Sequence, residues 1–176
     1  MAYYRSRGLR GSALEEYINL TNTKYREHQL GLIQKIPTPI KPVELDPAHG
    51  NIKKAFFEER STVDYIGLVQ GYPICFDAKE TKLKRFPLKN IHHHQIDFMK
   101  DFEKHEGTSF FLIYFSSQEK IYFVPFSFIV EKITLANNGG PKSIPFEAFK
   151  ECIEVHNKDG YIVHYIDALD QYLHDS

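Results

Sequence analysis

Apolar positions along this chain recur with two periods, and the switches between them mark the elements. Leu14, Tyr17, Ile18 and Thr21 fall at helical spacing, which predicts a helix from about Ala13 to His28. Ser12 followed by Glu15 has the Ser-x-x-Glu form of a capping box at its start. Leu30, Leu32 and the run Ile33–Ile36 predict a short strand that ends at Pro37. Four prolines then fall between Pro37 and Gly50. Proline lacks an amide donor and fixes φ, so this segment cannot be a regular helix or a central strand. It reads as an extended excursion, with Asn51–Glu59 as a brief helix returning from it.

Two strands follow. Thr62–Val69 and Pro73–Ala78 flank Gln70-Gly71-Tyr72, a hairpin pattern. Asn90 can cap a helix in which Ile91, Gln95, Phe98 and Phe102 share one face and Gly107 closes the end. Ser109–Phe115 and Lys120–Pro125 are aromatic and aliphatic runs of strand length, bounded as buried strands are. Phe126–Ala136 reads as helical, Asn138-Gly139-Gly140-Pro141 breaks it, and Pro145–Cys152 and Ile166–Leu173 predict two further helices. The alternation predicts an α/β domain. No internal repeat or low-complexity tract interrupts it.

Composition and charge narrow the class. The 176 residues are 42% hydrophobic and 14% aromatic, enough for a packed core and unlike a disordered chain. The formal net charge of −1 gives no global signature of a nucleic-acid binder, but the charge is unevenly placed. Residues 1–11 hold Arg5, Arg7 and Arg10 without an acid, and residues 79–89 hold Lys79, Lys82, Lys84, Arg85 and Lys89 against Glu80 alone. The two cysteines, Cys75 and Cys152, exclude a disulfide framework, though not a single bridge. Met1–Gly11 is polar, unlike a signal peptide, and no apolar run reaches the roughly 18 residues of a membrane span. These features lead us to expect a soluble cytoplasmic protein with no membrane partner.

The chemistry concentrates in Asp64 and Asp77-Ala78-Lys79, placed on the two arms of the predicted hairpin. Aspartate is disfavoured in strands, and a carboxylate among apolar neighbours such as Cys75 and Phe76 is costly without a cation or donor. A divalent ion resolves that cost, and Mg²⁺ takes one or two carboxylates while keeping waters and phosphate oxygens. Asp77 and Lys79 are one residue apart, so on a strand both project to the same face. This pairs an anionic metal ligand with an ammonium group suited to orienting a water or offsetting developing charge. An isolated Asp-x-Lys is otherwise most often a surface ion pair. His92-His93-His94 is a poor metal set, because successive helical residues point about 100° apart. Cys75 reads as buried bulk.

The surrounding pattern adds specificity. Asp64 … Asp77-x-Lys79 resembles the PD-(D/E)xK nuclease motif, with Val63 at its loose proline position. Arg7-Gly8, Leu14-Glu15, Thr21-Asn22, Lys35-Ile36-Pro37-Thr38-Pro39, Ser61-Thr62-Val63-Asp64-Tyr65, Gly67, Gly71, Phe76-Asp77-Ala78-Lys79-Glu80-Thr81, Phe86-Pro87-Leu88, Asn90 and His92-x-His94-Gln95 resemble RecU-type Holliday junction resolvases in order. The likeness fades after about Phe126. It implies a single restriction-endonuclease-like domain over residues 1–176, with a central mixed sheet flanked by helices and residues 37–60 as a protruding stalk. It implies a homodimer that nicks four-way DNA junctions with Mg²⁺, for which Mn²⁺ can substitute, with no small-molecule cofactor and with recombination proteins as further partners.

By position the resemblance makes Asp64, Asp77 and the Ala78 carbonyl metal ligands and Lys79 the catalytic lysine. Glu15 matches a helix carboxylate near the metal site, although closing the capping box explains it equally well. Gln95 matches a glutamine near the active centre, with a polar residue at the core edge as the competing reading. Arg7, Arg10, Lys35, Lys41, Lys53, Lys54, Lys82, Lys84 and Arg85 become candidates for DNA phosphate contact. Two other functions stay open: the same nuclease chemistry on other branched or duplex DNA, and a DNA-binding or assembly factor without catalysis.

Overall fold

The computed structural model describes residues 13–57 and 62–175. In chain order the elements are α1 (Ala13–Glu27), β1 (Gly31–Lys35), β2 (Ile40–Asp46), β3 (Asn51–Phe57), β4 (Tyr65–Val69), β5 (Tyr72–Thr81) and β6 (Arg85–Pro87). Next come a 3-10 turn at Leu88–Asn90, α2 (His93–Lys104), β7 (Thr108–Phe115), β8 (Lys120–Pro125) and α3 (Phe126–Asn137). β9 (Ser143–Pro145), a 3-10 segment (Phe146–Glu151), β10 (Ile153–Val155) and α4 (Tyr165–Asp175) complete the chain.

Six strands form one sheet in the order β1-β4-β5-β7-β8-β10. Only β5 and β7 run parallel, with Asp77 opposite Phe111. The other neighbours are antiparallel, so the sheet is mixed. Because β5 lies inside the sheet, Ile74–Ala78 is buried without alternation, the pattern of a strand covered on both faces. Leu14 and Ile18 of α1 join Phe76, Phe110 and Phe123 in one core. Met99, Phe111, Ile113, Ile129 and Phe149 join in the other, under α2 and α3.

Local sequence sets the turns. The β4–β5 hairpin closes through Gln70 and Gly71 at φ 49° and 93°, the pair of positive φ values a type I′ turn requires. At the end of α1 the Leu30 amide reaches the Tyr25 carbonyl and the Gln29 amide reaches Arg26, with Gln29 at φ 58°. That is a Schellman closure. The same pattern closes α2 through Glu106 and Gly107 and α3 through Gly139 and Gly140.

The second sheet is the two-stranded ribbon β2–β3, and it corrects the helix expected at Asn51–Glu59. Residues 51–57 form a strand, and residues 58–61 lie outside the described residues. The pairing of β3 with β2 defines that strand, with Ile40 opposite Phe57 and Asp46 opposite Asn51, since its sequence carries no clear period of either kind. The excursion is extended as expected, with a bulged register between Pro42 and Leu45. Asn90 is likewise not a helix cap. It ends the 3-10 turn, and α2 begins with His92 as its N-cap. The helix expected at Pro145–Cys152 is a 3-10 segment. The short strands β6, β9 and β10 have too few residues to show a period.

Thr21 and Asn22 are buried on α1 and tie it to the C-terminal segment. The Val163 amide donates to Thr21 Oγ1 at 3.2 Å and the Tyr165 hydroxyl donates to Asn22 Oδ1 at 2.5 Å. Cys75 and Cys152 are both free. No helix among the described residues is long and apolar enough to cross a membrane.

Candidate active site

The site is built around Asp77, in the middle of β5. Its side chain is 0% exposed, because strand alternation turns it, like Cys75, toward the face that α2 covers. Three neighbours define its charge. Lys79 Nζ lies 2.6 Å from Oδ1, as the same-face spacing of residues 77 and 79 predicts. Gln95 Nε2 donates to Oδ2. Asp64 stands close enough to act on it as a like charge. Oδ1 is buried and, among the described residues, meets the Lys79 ammonium with no further hydrogen-bond donor beside it.

Burial pushes the Asp77 carboxyl up to about 7. Lys79 opposes the rise, and Asp64 adds to it. An acid held this way keeps its charge at neutral pH only with further positive charge nearby.

Asp64 is not on a strand, contrary to the expected hairpin placement. It sits at a bend one residue before β4. Its carbonyl accepts from the Ile36 amide at 2.8 Å, and its Oδ2 accepts from the Ala78 amide at 2.9 Å. The bend sends its side chain across to β5, where a strand residue would point along the pleat. Ala78 therefore enters the site through its amide.

Gln95 is at the third position of α2, buried at 6% exposure. Its Oε1 accepts from the His92 amide at 3.1 Å while its Nε2 holds Asp77. One side chain thus caps a helix and fixes a carboxylate. The signal was present as a residue three positions after a helix N-cap, but placing the start at Asn90 concealed it. His92 precedes α2 and stacks on His94, with ring centroids 5.5 Å apart. No group of three or more His, Cys, Asp or Glu residues arranged for a metal occurs among the described residues.

Glu15 pairs with Lys35 across α1 and β1. The Tyr65 hydroxyl donates to Asn19 Oδ1 at 3.0 Å. Burial, and then the charges of Glu15, Asp64 and Asp77 in that order, push the Tyr65 pKa upward. All three carboxylates are therefore near enough to act on this hydroxyl as charges. Ser12, the other half of the expected capping box, lies outside the described residues, as do Arg7 and Arg10. Burial pushes the Cys75 thiol up to about 12, so it is no nucleophile.

The remaining cations divide into two groups. Lys82, Lys84 and Arg85 are exposed just beyond β5. Lys41, Lys53 and Lys54 are exposed on the ribbon, where Lys54 Nζ lies 5.4 Å from the Phe56 ring centre. None of these six has an ion-pair partner among the described residues.

Comparison with known proteins now bears on this geometry. The sequence model of the family described as Recombination protein U, RecU, matches residues 9–171. The chain belongs to the RecU family. The match extends through the C-terminal third, where the likeness was expected to fade after Phe126, and the Thr21 and Asn22 bonds to Val163 and Tyr165 show one reason why the segment belongs. A Holliday junction resolvase RecU from Geobacillus sp. (strain WCH70) is 42% identical over 142 residues, covering 78% of this chain and 71% of that protein. One from Pediococcus pentosaceus is 43% identical over 148 residues, covering 82% and 74%. Among solved structures, Archaeoglobus fulgidus Hjc, a Holliday junction resolvase, superimposes with a TM-score of 0.50 at 8% identity. It covers 82% of this chain and 95% of Hjc. That likeness shows a shared restriction-endonuclease-like fold, with its central mixed sheet flanked by helices.

Proposed function

We infer that this RecU-family chain is a metal-dependent endonuclease that resolves four-way DNA junctions in recombination and repair. The observation that carries the reading is Asp77, a fully buried carboxylate whose Oδ1 meets the Lys79 ammonium, set between Lys79, Gln95 and Asp64. A chain that needed only to bind DNA would gain nothing from this arrangement, which costs folding energy.

The donor set fits one hard divalent cation, Mg²⁺ or Mn²⁺, which asks for one or two carboxylates and leaves room for waters and phosphate. Asp64 and Asp77 would hold it, with the Ala78 carbonyl completing the protein's share. When bound, the ion supplies Lewis-acid polarisation of the phosphate and a more acidic attacking water.

The chain's own groups do the rest. Gln95 fixes Asp77 Oδ2, and the Ala78 amide fixes Asp64 Oδ2, so neither carboxylate must reorganise during the reaction. Lys79 orients the attacking water and offsets the charge that grows on the phosphate as the bond to the 3′ oxygen breaks. The products carry a 5′-phosphate. Glu15, held by Lys35, faces the same cluster of charge and serves as an outer carboxylate.

DNA would run along the cations beyond β5, Lys82, Lys84 and Arg85, toward Lys35 and the ribbon, with Arg7 and Arg10 of the N-terminal segment as further contacts. The ribbon is proposed as the stalk of a single nuclease domain, spanning 37–60. Two strands alone have no core, yet Ile40, Val43, Leu45, Ile52 and Phe56 are each about half exposed. Insertion at the centre of a junction would cover them, while Lys41, Lys53 and Lys54 meet phosphates. Paired nicks across a two-fold substrate call for two related active sites, hence a homodimer.

The test incubates the purified protein with a mobile four-way junction and a matching duplex, with Mg²⁺, Mn²⁺ or EDTA. Junction cleavage that needs the metal, and that Asp77→Asn and Lys79→Ala both lose while junction binding persists, is the expected result. Metal-dependent cleavage surviving in both variants would sink the assignment. Equal cutting of duplex and junction would restrict it to the nuclease chemistry.

A further inference from the structure

Behind the active-site helix lies a cleft of about 390 Å³ that the nuclease chemistry does not use. It opens between the first turns of α2, the segment Pro87–Ile91 and the end of α3. Its floor is aliphatic, formed by Leu88, Ile91, Ile96 and Ile133. Lys89 and Lys142, both exposed, stand on its rim beside His93. No carboxylate lines the cleft, and neither lysine has an ion-pair partner among the described residues.

The helix ends reinforce this field. α2 presents its N-terminus, the positive end of its dipole, through His93. The opposing negative end of α3 is muted, because the Asn138, Gly139 and Gly140 amides cap the Thr134, Leu135 and Ala136 carbonyls. The cleft therefore combines an apolar floor with a positive rim.

We propose that this cleft docks a short segment of a partner protein in which aliphatic or aromatic side chains are flanked by carboxylates. The apolar anchors fill the floor and the acids meet Lys89 and Lys142, the division between buried anchor and polar rim found in peptide sites. Nucleic acid fits less well. Single strands are held on aromatic platforms, and none of the residues lining this cleft is Phe, Tyr or Trp. Ile96 lines the cleft and its neighbour Gln95 holds Asp77, so the docked segment would rest against the helix that positions the catalytic carboxylate.

The experiment measures fluorescence anisotropy of a labelled peptide carrying Leu and Phe anchors between aspartates, titrated with the full chain. A control peptide has lysine in place of each aspartate. We expect saturable binding of the acidic peptide alone, weakened about tenfold or more by the double variant Lys89→Glu and Lys142→Glu. Ile133→Ala should also weaken it, with the lysine double variant keeping the wild-type melting temperature and both variants keeping junction cleavage. Equal binding of the two peptides, or unchanged affinity in both variants, overturns the proposal. So does a double variant that loses DNA binding while no peptide binds, which makes the cleft a nucleic-acid contact. A shift from dimer to monomer in that variant without peptide binding assigns the cleft to a second copy and overturns it as well.

Discussion

Asp77 sets the energetics of the site. Its carboxyl, held at about 7 by burial, lies above the value of about 4 in an unfolded chain. Between those values the folded protein keeps a proton that the unfolded chain has lost. Metal-free stability therefore falls as pH rises from about 4 through 7 and levels off above it. Added Mn²⁺ or Mg²⁺ should raise the melting temperature more at pH 8 than at pH 5.5. Asp77→Asn should abolish that difference and melt higher than wild type at pH 8 in EDTA, since it removes a buried charge that lacks full compensation. Melting curves at the two pH values, with and without metal, check both points. Gln95 acts through Asp77. Gln95→Ala should lower kcat about 10- to 100-fold with junction affinity unchanged, and Gln95→Glu should not rescue it, because a carboxylate cannot donate to Oδ2. Single-turnover cleavage alongside a binding titration separates the two effects.

At the scale of elements, β5 and the bend before β4 carry the candidate site, and the ribbon is the proposed reader of the substrate. Gly67 marks how tightly β4 is held: a Cβ there would come 2.5 Å from the Leu32 carbonyl oxygen. β1 and β4 thus approach closely, next to the bend that aims Asp64. Among the described side chains, in contrast, none from the ribbon belongs to either core. Replacing residues 40–57 by a short Gly-Ser linker should leave the melting temperature within a few degrees of wild type. Cleavage of a four-way junction should fall by at least about tenfold relative to matched duplex if the ribbon's half-exposed apolar residues fill the crossover. A variant that keeps full junction preference would remove the ribbon from recognition. Much at this scale was legible. The hairpin, α1, α3, β7 and β8 follow from apolar spacing and the Gln-Gly turn. β3 was not, because a lysine-rich strand with no core to face shows little alternation of hydrophobicity.

For the whole molecule, the proposed homodimer would cut symmetrically by pairing two copies of one site. Mixing wild-type chains with Asp77→Asn chains and allowing exchange should yield heterodimers that nick a single strand of the junction, visible as a nicked product on native gels in proportion to the mixing ratio. Equal double cutting by every cleaving species would argue against one site per strand. Within each chain, the Thr21 and Asn22 bonds to the C-terminal segment hold α1, and with it Glu15, against the sheet.

The sequence alone determined the residue types of the site and the order of its elements. An Asp-x-Lys on a strand must share a face, and an acid among apolar residues demands compensation. Tertiary structure decided what each acid touches. Asp64 reaches the Ala78 amide because a bend turns it out of the strand, and Gln95 reaches Asp77 because α2 starts at His93 and crosses that face of the sheet. Such contacts join residues 14 and 18 positions apart, and they depend on how elements pack, which no local period encodes.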